Sequence, residues 1–132
     1  MGALGHRAGR AVNHPYASVT VVGGAGFIGG HLVARLLGRP EVEQVTVYDN
    51  FTSGRRWHLE SAAGDPRLRI VEGDVEDLER LVDALAGSRC VVHLASNPDI
   101  ARAMTDPTID FHQGTALTHS VIEAARRSSV DL

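Results

Sequence analysis

The chain has 132 residues, a length typical of a single domain, and 43% of them are hydrophobic, which is enough to build a core. A formal net charge of −3 gives no electrostatic reason to expect nucleic acid or an anionic membrane as a partner. No apolar stretch approaches the length of a membrane span and no secretory signal pattern opens the chain, so we expect a cytoplasmic protein. The 13 residues in the lysine and arginine class are all arginine, so no side-chain amine is available for chemistry within this sequence.

Strand and helix signals alternate along the chain from residue 18 onward. Residues 1–17 show no periodicity, and we assign them to a disordered tail that precedes one domain over 18–132. Short apolar or β-branched runs predict strands over 19–22, 44–48, 68–71 and 90–94, and the first residues of a fifth over 130–132. Helical spacing and end signals predict helices over 28–37, 53–63, 77–86 and 107–128, with a polar loop over 95–106.

This alternation predicts an α/β fold, in which a Rossmann-type parallel sheet has right-handed crossovers and helices on both faces. The expected strand order is 3-2-1-4, with the fifth strand truncated. Such a truncation would leave one edge of the fourth strand without its usual neighbour, and open edges pair with other chains. We therefore expect a homo-oligomer that forms through this edge.

A glycine triplet lies between the first strand and the helix that follows it. Gly23, Gly26 and Gly29 form a G-x-x-G-x-x-G pattern. In a dinucleotide site Gly23 allows the tight turn, Gly26 lets the backbone approach a diphosphate, and Gly29 lets the helix pack closely on the sheet. The N–H groups at the start of the helix would then face the phosphates. An ordinary glycine-rich turn has the same composition, so the triplet alone is weak evidence.

An acidic residue at the end of the second strand strengthens the hypothesis of a dinucleotide site. Asp49 follows Gly29 by twenty residues, close to the expected spacing of about 20. A carboxylate there can accept hydrogen bonds from the adenosine ribose and would repel a 2′-phosphate, which favours NAD over NADP. The alternative role for Asp49 is that of a strand-ending turn residue. An arginine at this corner, such as Arg55 or Arg56, can accommodate a 2′-phosphate, so NADP is an alternative cofactor. A flavin or S-adenosylmethionine domain is a further alternative because those ligands also carry ribose hydroxyls.

The sequence resembles extended short-chain dehydrogenase/reductases of the NAD-dependent epimerase/dehydratase family, whose best-known members act on nucleotide sugars. The resemblance rests on stretches that stand in the family's order and spacing: VTVVGGAGFIGGHLVARLL (19–37), VYDNFTSGRR (47–56), IVEGDVED (70–77), VVHLAS (91–96) and DPTIDF…GT…IEAAR (106–126). Together they cover nearly everything after residue 17.

This resemblance implies a set of cofactor contacts. The backbone N–H groups of Phe27 and Ile28 would meet the diphosphate. Asp74 and Val75 would border the adenine, with the Asp74 carboxylate accepting from the exocyclic amine; a helix-entry cap is the alternative role for Asp74. The segment around the ribose and the end of the fourth strand, which passes beneath the cofactor, would contribute Asp49, Asn50, Thr52, Ser53, Gly54, Leu94, Ala95 and Ser96.

Two departures from the family pattern limit what the resemblance implies. The family catalyses with a Ser or Thr and a Tyr-x-x-x-Lys helix, whose tyrosine is the acid/base and whose lysine lowers the tyrosine pKa. Without lysine that pair is absent from this sequence, and its tyrosines, Tyr16 and Tyr48, fall in the tail and on the second strand. Gly114 stands where the family often has an asparagine near the nicotinamide. We therefore assign no catalytic residue and expect the chain alone to be inactive.

The resulting expectation is the NAD-binding portion of a nucleotide-sugar epimerase or dehydratase. A nucleotide sugar would be a partner only if the missing C-terminal part is supplied. The alternative is a non-catalytic dinucleotide-binding or self-associating module. His112 and His119, seven residues apart, have no third ligand nearby in sequence, so we predict no metal site.

Overall fold

The protein is described here by a computed structural model that covers residues 14–96 and 99–130. Strands β1 (Ser18–Val22), β2 (Gln44–Asp49), β3 (Leu68–Glu72) and β4 (Cys90–His93) pair in parallel in the order β3-β2-β1-β4. The predicted Rossmann-type sheet and its strand order are confirmed. Most of the predicted tail, residues 1–13, lies outside the described residues, as do residues 131 and 132 of the predicted fifth strand.

Helices cover both faces of the sheet. In chain order they are α1 (Phe27–Leu37), a 3₁₀ helix (Arg56–Ala62), α2 (Leu78–Leu85), α3 (Ile100–Thr105), α4 (Thr108–Asp110), a π-helical segment (Phe111–Ala116) and α5 (Leu117–Arg127). Within the described ranges, none of these helices combines the length and the apolar character that a membrane crossing requires.

Three stretches differ from their predicted secondary structure, one of them the helix predicted over 107–128, which contains the π-helical segment Phe111–Ala116. The predicted helix over 53–63 is a shorter 3₁₀ helix. The predicted loop over 95–106 contains α3, whose N-cap Asp99 accepts a hydrogen bond from the Arg102 N–H at 3.0 Å. Asp99 is a good N-cap residue type, but α3 is only six residues long, too short for apolar periodicity to mark it.

The core consists of two apolar layers, one on each face of the sheet. On one face the strand residues pack against α1 and the 3₁₀ helix, and on the other against α2 and α5. Successive side chains of a strand point to opposite faces, so Val21 belongs to the first layer and Val22 to the second, and both are fully buried. Because both faces are covered, the central strands are continuous apolar runs, which is the signal that predicted them.

Close packing of α1 against the 3₁₀ helix depends on Gly30. A Cβ atom on Gly30 would collide with the main-chain carbonyl oxygen of His58. The helix interior therefore carries glycine here because a neighbouring backbone takes the space that a side chain would need, despite the cost of glycine within a helix.

We predict opposite effects on stability for two helical glycines. Gly30→Ala should lower the free energy of unfolding by about 1–3 kcal/mol, since the new methyl group must displace the His58 backbone. Gly114→Ala is the matched control, because a Cβ atom there meets no described atom within 4 Å, and it should raise the free energy of unfolding by up to about 1 kcal/mol. Urea unfolding of both variants measures the two values, and equal shifts would contradict the prediction.

Candidate functional site

The glycine loop, residues 23–29, joins β1 to α1 and packs on the end of β4. Gly23 has φ +81°, and a Cβ atom there would lie 2.5 Å from the main-chain nitrogen of Ala95. A Cβ atom on Gly29 would lie 2.6 Å from the Gly23 carbonyl oxygen and equally close to Cα of Gly24. The expected tight turn at Gly23 is present. The backbone against which Gly29 packs is that of the loop itself and not of the sheet.

Gly26 differs from the other two glycines of the triplet. It is the N-cap residue of α1 with φ −71° and ψ 173°, a conformation open to any residue. Among the described atoms, a Cβ atom here would meet only the Gly23 carbonyl oxygen, at an ordinary 3.4 Å. The fold therefore requires glycine at 23 and 29 but not at 26.

The start of α1 presents backbone hydrogen-bond donors. No side chain of the described residues caps this helix. The N–H groups of Phe27 and Ile28, in the first turn, have no partner within the helix and are left for water or a ligand. Both side chains are 69% exposed, so the helix start lies at the surface. Together with the helix dipole these donors favour an anion.

The carboxylate of Asp49 lies against the glycine loop. Its Oδ2 accepts the N–H of Ala25 at 2.9 Å, and its Oδ1 accepts the N–H of Phe51 at 2.9 Å. Phe51 has φ +56°, an unusual conformation for a bulky residue that turns its N–H back toward the carboxylate. Each carboxylate oxygen has two lone pairs and can accept one further hydrogen bond. Asp49 therefore has the role of a strand-ending turn residue, which was the alternative prediction, and its carboxylate also contacts the glycine loop.

A polar chain of side chains continues from Asp49 along the ends of β2 and β3. Asn50 donates from Nδ2 to Oδ2 of Asp74 at 3.0 Å and accepts at Oδ1 from the Thr52 N–H and hydroxyl. Asp74 also accepts the Glu76 N–H at 2.9 Å. The cap of α2 is Asp77, which accepts the Arg80 N–H, so the alternative role of Asp74 as the cap of this helix is wrong.

The remaining predicted site residues lie around the same edge. A Cβ atom on Gly54 would lie 2.7 Å from Oδ1 of Asp49, so this glycine lets the next loop close over the carboxylate. Val75 is buried in the second core layer. After β4, Leu94 donates its N–H to the Val22 carbonyl at 2.7 Å. The other members are Ala95, which packs on the second layer, and Thr52, Ser53 and Ser96, which are exposed.

Tyr48 is a supporting residue that the sequence did not single out. Its hydroxyl donates to the Asp74 carbonyl at 2.6 Å, and the side chain is fully buried. Burial raises the pKa of Tyr48 to about 12, so the phenol stays neutral and keeps its donor. The signal for this role was a single tyrosine in a valine-rich strand, directly before Asp49.

Arg55 and Arg56, at the start of the 3₁₀ helix, both donate hydrogen bonds at the surface. Arg56 donates to Oε2 of Glu72 at 2.7 Å, and its guanidinium lies 4.5 Å from the centre of the Phe51 ring. Arg55 donates to the Gly54 carbonyl at 3.1 Å. Among the described residues, no group of three or more His, Cys, Asp or Glu side chains could hold a metal ion.

Comparison with known proteins gives consistent matches. Residues 19–132 match the NAD dependent epimerase/dehydratase family. A dTDP-glucose 4,6-dehydratase of Mycolicibacterium smegmatis is 37% identical over 85% of this chain and 34% of its own length. A UDP-glucose 4-epimerase of Lacticaseibacillus casei is 32% identical over 86% of this chain and 33% of its own. The chain therefore spans about a third of the length of these curated relatives.

A solved structure shows the same relationship in three dimensions. The dTDP-glucose 4,6-dehydratase DesIV from Streptomyces venezuelae, crystallised with NAD bound, superposes with a TM-score of 0.79 at 34% identity. The match covers 86% of this chain and 37% of that one.

We predict that Tyr48 makes stability fall at alkaline pH. The folded state holds the Tyr48 proton up to about pH 12, whereas an unfolded tyrosine releases it near its ordinary pKa of about 10, so stability decreases as the pH rises above about 10. Without lysine, no amine side chain titrates in this range. Unfolding free energies of wild type and Tyr48→Phe, measured from pH 8 to 12, should converge as the pH rises. Tyr16→Phe, at a side chain that is 53% exposed, is the control, and a constant gap for Tyr48→Phe would refute the prediction.

Proposed function

The chain belongs to the NAD dependent epimerase/dehydratase family, and on that premise we propose that its site binds NAD across the carboxyl ends of β1, β2 and β4. The observation that carries this proposal is the pairing of the glycine loop with Asp49. The start of α1, with its free N–H donors, follows Ala25 by two residues. The Asp49 carboxylate, which has spare acceptor capacity, accepts the Ala25 N–H. A dinucleotide offers the matching groups, a diphosphate and a ribose diol.

The diphosphate would be held by main-chain atoms. The N–H groups of Phe27 and Ile28 would donate to its oxygens, and the α1 dipole would favour its charge. Gly26 would let the backbone come close because it has no side chain, and no contact with the described residues requires a glycine there. Such contacts suit any diphosphate, so the preference for NAD has to come from the neighbouring side chains.

The adenosine half would lie over the ends of β2 and β3. Asp49 would accept hydrogen bonds from the ribose hydroxyls with its two remaining lone pairs, and Thr52, Ser53 and Gly54 would line the same corner. Asp74 would accept from the adenine amine, next to Val75, and Asn50 supports this role because it donates to Asp74 and so fixes the direction of its carboxylate. The end of β4, residues 94–96, would pass beneath the other half of the cofactor.

We further propose that the whole protein is a nucleotide-sugar epimerase or dehydratase, as are the relatives named above. NAD would supply a hydride acceptor and donor for a sugar carbon. The family's tyrosine and lysine pair cannot come from these 132 residues, since they contain no lysine, and we expect no turnover from them alone. Association through the outer edge of β4, where the described residues pair only with β1, also stays a prediction that sedimentation at rising concentration can test.

We predict that Gly26→Ala separates binding from folding. The added methyl group meets no described atom closer than 3.4 Å but would stand where the diphosphate approaches. NAD affinity should fall at least about tenfold, while the free energy of unfolding should change by less than about 1 kcal/mol, because the lower entropy of the unfolded chain is opposed by the weaker N-cap preference of alanine.

The matched control for this experiment is Gly38→Ala at the end of α1. A Cβ atom there also lies 3.4 Å from its nearest neighbour, the Arg35 carbonyl oxygen, and the site is at the other end of the helix. Titration calorimetry with NAD and urea unfolding should show no loss of affinity for this variant. If Gly26→Ala binds NAD as tightly as wild type, the proposed diphosphate site is wrong.

We predict that Asp49→Ala weakens NAD binding about tenfold or more and narrows the preference for NAD over NADP. The variant loses the ribose acceptor, and it also loses the charge that opposes a 2′-phosphate. Titrations with NAD and with NADP measure both affinities. Asp83→Ala on the exposed side of α2 is the control, and unchanged affinities in Asp49→Ala would remove this residue from the site.

A further inference from the structure

Ala25, a residue of the glycine loop, is hydrogen-bonded through both its N–H and its carbonyl to the stretch that runs from the end of β2 into the 3₁₀ helix. Its N–H donates to Asp49, as described above, and its carbonyl accepts two hydrogen bonds. The donors are the Arg55 N–H at 2.9 Å and Nδ1 of the His58 ring at 2.6 Å. Ala25 is fully buried, so no water can replace a lost partner without rearrangement.

The His58 ring is held in place from several sides. The Trp57 ring lies 4.0 Å away between centroids, and the Phe27 ring meets it edge-on at 6.3 Å. Its backbone packs against Gly30, which gives α1 and the 3₁₀ helix their close approach. The ring is thus fixed against the loop by its own helix and by α1.

The chemistry of this contact shows that Nδ1 of the His58 ring carries a proton. A carbonyl oxygen carries no hydrogen, so the proton of the 2.6 Å hydrogen bond belongs to Nδ1 of His58. A neutral His58 must then be the Nδ1–H tautomer, with Nε2 unprotonated. This assignment follows from the acceptor and can be observed directly.

The orientation of the Ala25 carbonyl also sets the direction of the N–H groups that follow it. The peptide group is planar, so a carbonyl turned toward His58 turns the Gly26 N–H the opposite way. The Gly26 N–H donates to the Gly23 carbonyl at 3.3 Å, and α1 begins at the next residue, Phe27. The direction of the first free N–H groups of α1 therefore depends on the two hydrogen bonds that hold the Ala25 carbonyl, one from Arg55 and one from His58.

We propose that His58 is a positioning residue, which orders the Ala25–Gly26 peptide so that the start of α1 is preformed for a diphosphate. This role rests on the proposed binding of NAD, and it requires a donor at the δ position of the side chain. Asn offers an N–H donor at that position, whereas Leu has nearly the same size and no donor.

The experiment combines a spectroscopic signature with a pair of isosteric variants. Two-dimensional ¹⁵N–¹H spectra of the full chain in alkaline buffer should show the Nδ1–H tautomer for His58, identified by its absence from His58→Asn. His58→Asn should bind NAD within about twofold of wild type, and His58→Leu about fivefold to tenfold more weakly, as for the loss of one buried hydrogen bond. His119→Leu, at an exposed histidine of α5, is the control and should bind like wild type.

Each outcome bears on one of the two proposals. An Nε2–H tautomer, or equal NAD affinities for the Asn and Leu variants, would overturn the role of His58 while leaving NAD binding intact. A wild-type chain that does not bind NAD would instead refute the proposed function. If His58→Leu fails to fold, the wild-type tautomer and the NAD affinity of His58→Asn still test the proposed role of His58. An Nε2–H ring in the wild type, or weaker NAD binding by His58→Asn, contradicts that role.

Discussion

The hydrogen bond from the Ala25 N–H to the Asp49 carboxylate is the contact on which the arrangement of the site depends. Parallel pairing of β1 with β2 sets Val22 beside Tyr48, so the glycine loop and Asp49 leave the sheet at the same level. An acidic side chain with few rotamers can then reach the loop only if the loop bends toward β2. The same carboxylate orders the turn through Phe51, so one buried charge fixes two segments and still has acceptor capacity for a ligand.

The glycines around this contact fall into two physical kinds. Gly23, Gly29 and Gly30 are required by the fold, because a Cβ atom at each would enter a neighbouring backbone. Among the described residues a Cβ atom on Gly26 meets no such obstacle, so steric contact within the fold does not require its lack of a side chain. Glycine within or beside a helix costs conformational entropy, so an unexplained one points to a requirement outside the folded chain. The glycine triplet alone is weak evidence for a dinucleotide site. Because of this difference, Gly26 is the glycine of the triplet that bears on ligand binding.

The sequence predicted the parts of the structure that are encoded locally. The buried strands followed from β-branched runs, and the glycine loop and Asp49 from spacing and resemblance. Contacts that join distant segments carried no such signal. His58 reaches Ala25 across 33 residues, and Tyr48 reaches the Asp74 backbone across 26. For Asp74 the sequence left a helix-cap role open, and only the geometry of the turn, in which Asp74 accepts the Glu76 N–H, assigns the cap to Asp77.

The proposed preference for NAD over NADP depends on the magnitudes of two charge effects. Arg56 and Glu72 form an ion pair whose side chains are 68% and 60% exposed, and such pairs contribute about 0–1 kcal/mol. Glu72 therefore holds Arg56 only weakly, and the pair by itself would not keep the arginine from a phosphate. Asp49 is 8% exposed, and charges next to a buried group are screened far less by solvent and salt. In the proposed site a 2′-phosphate beside Asp49 would meet this weakly screened repulsion, which favours the dinucleotide without that phosphate.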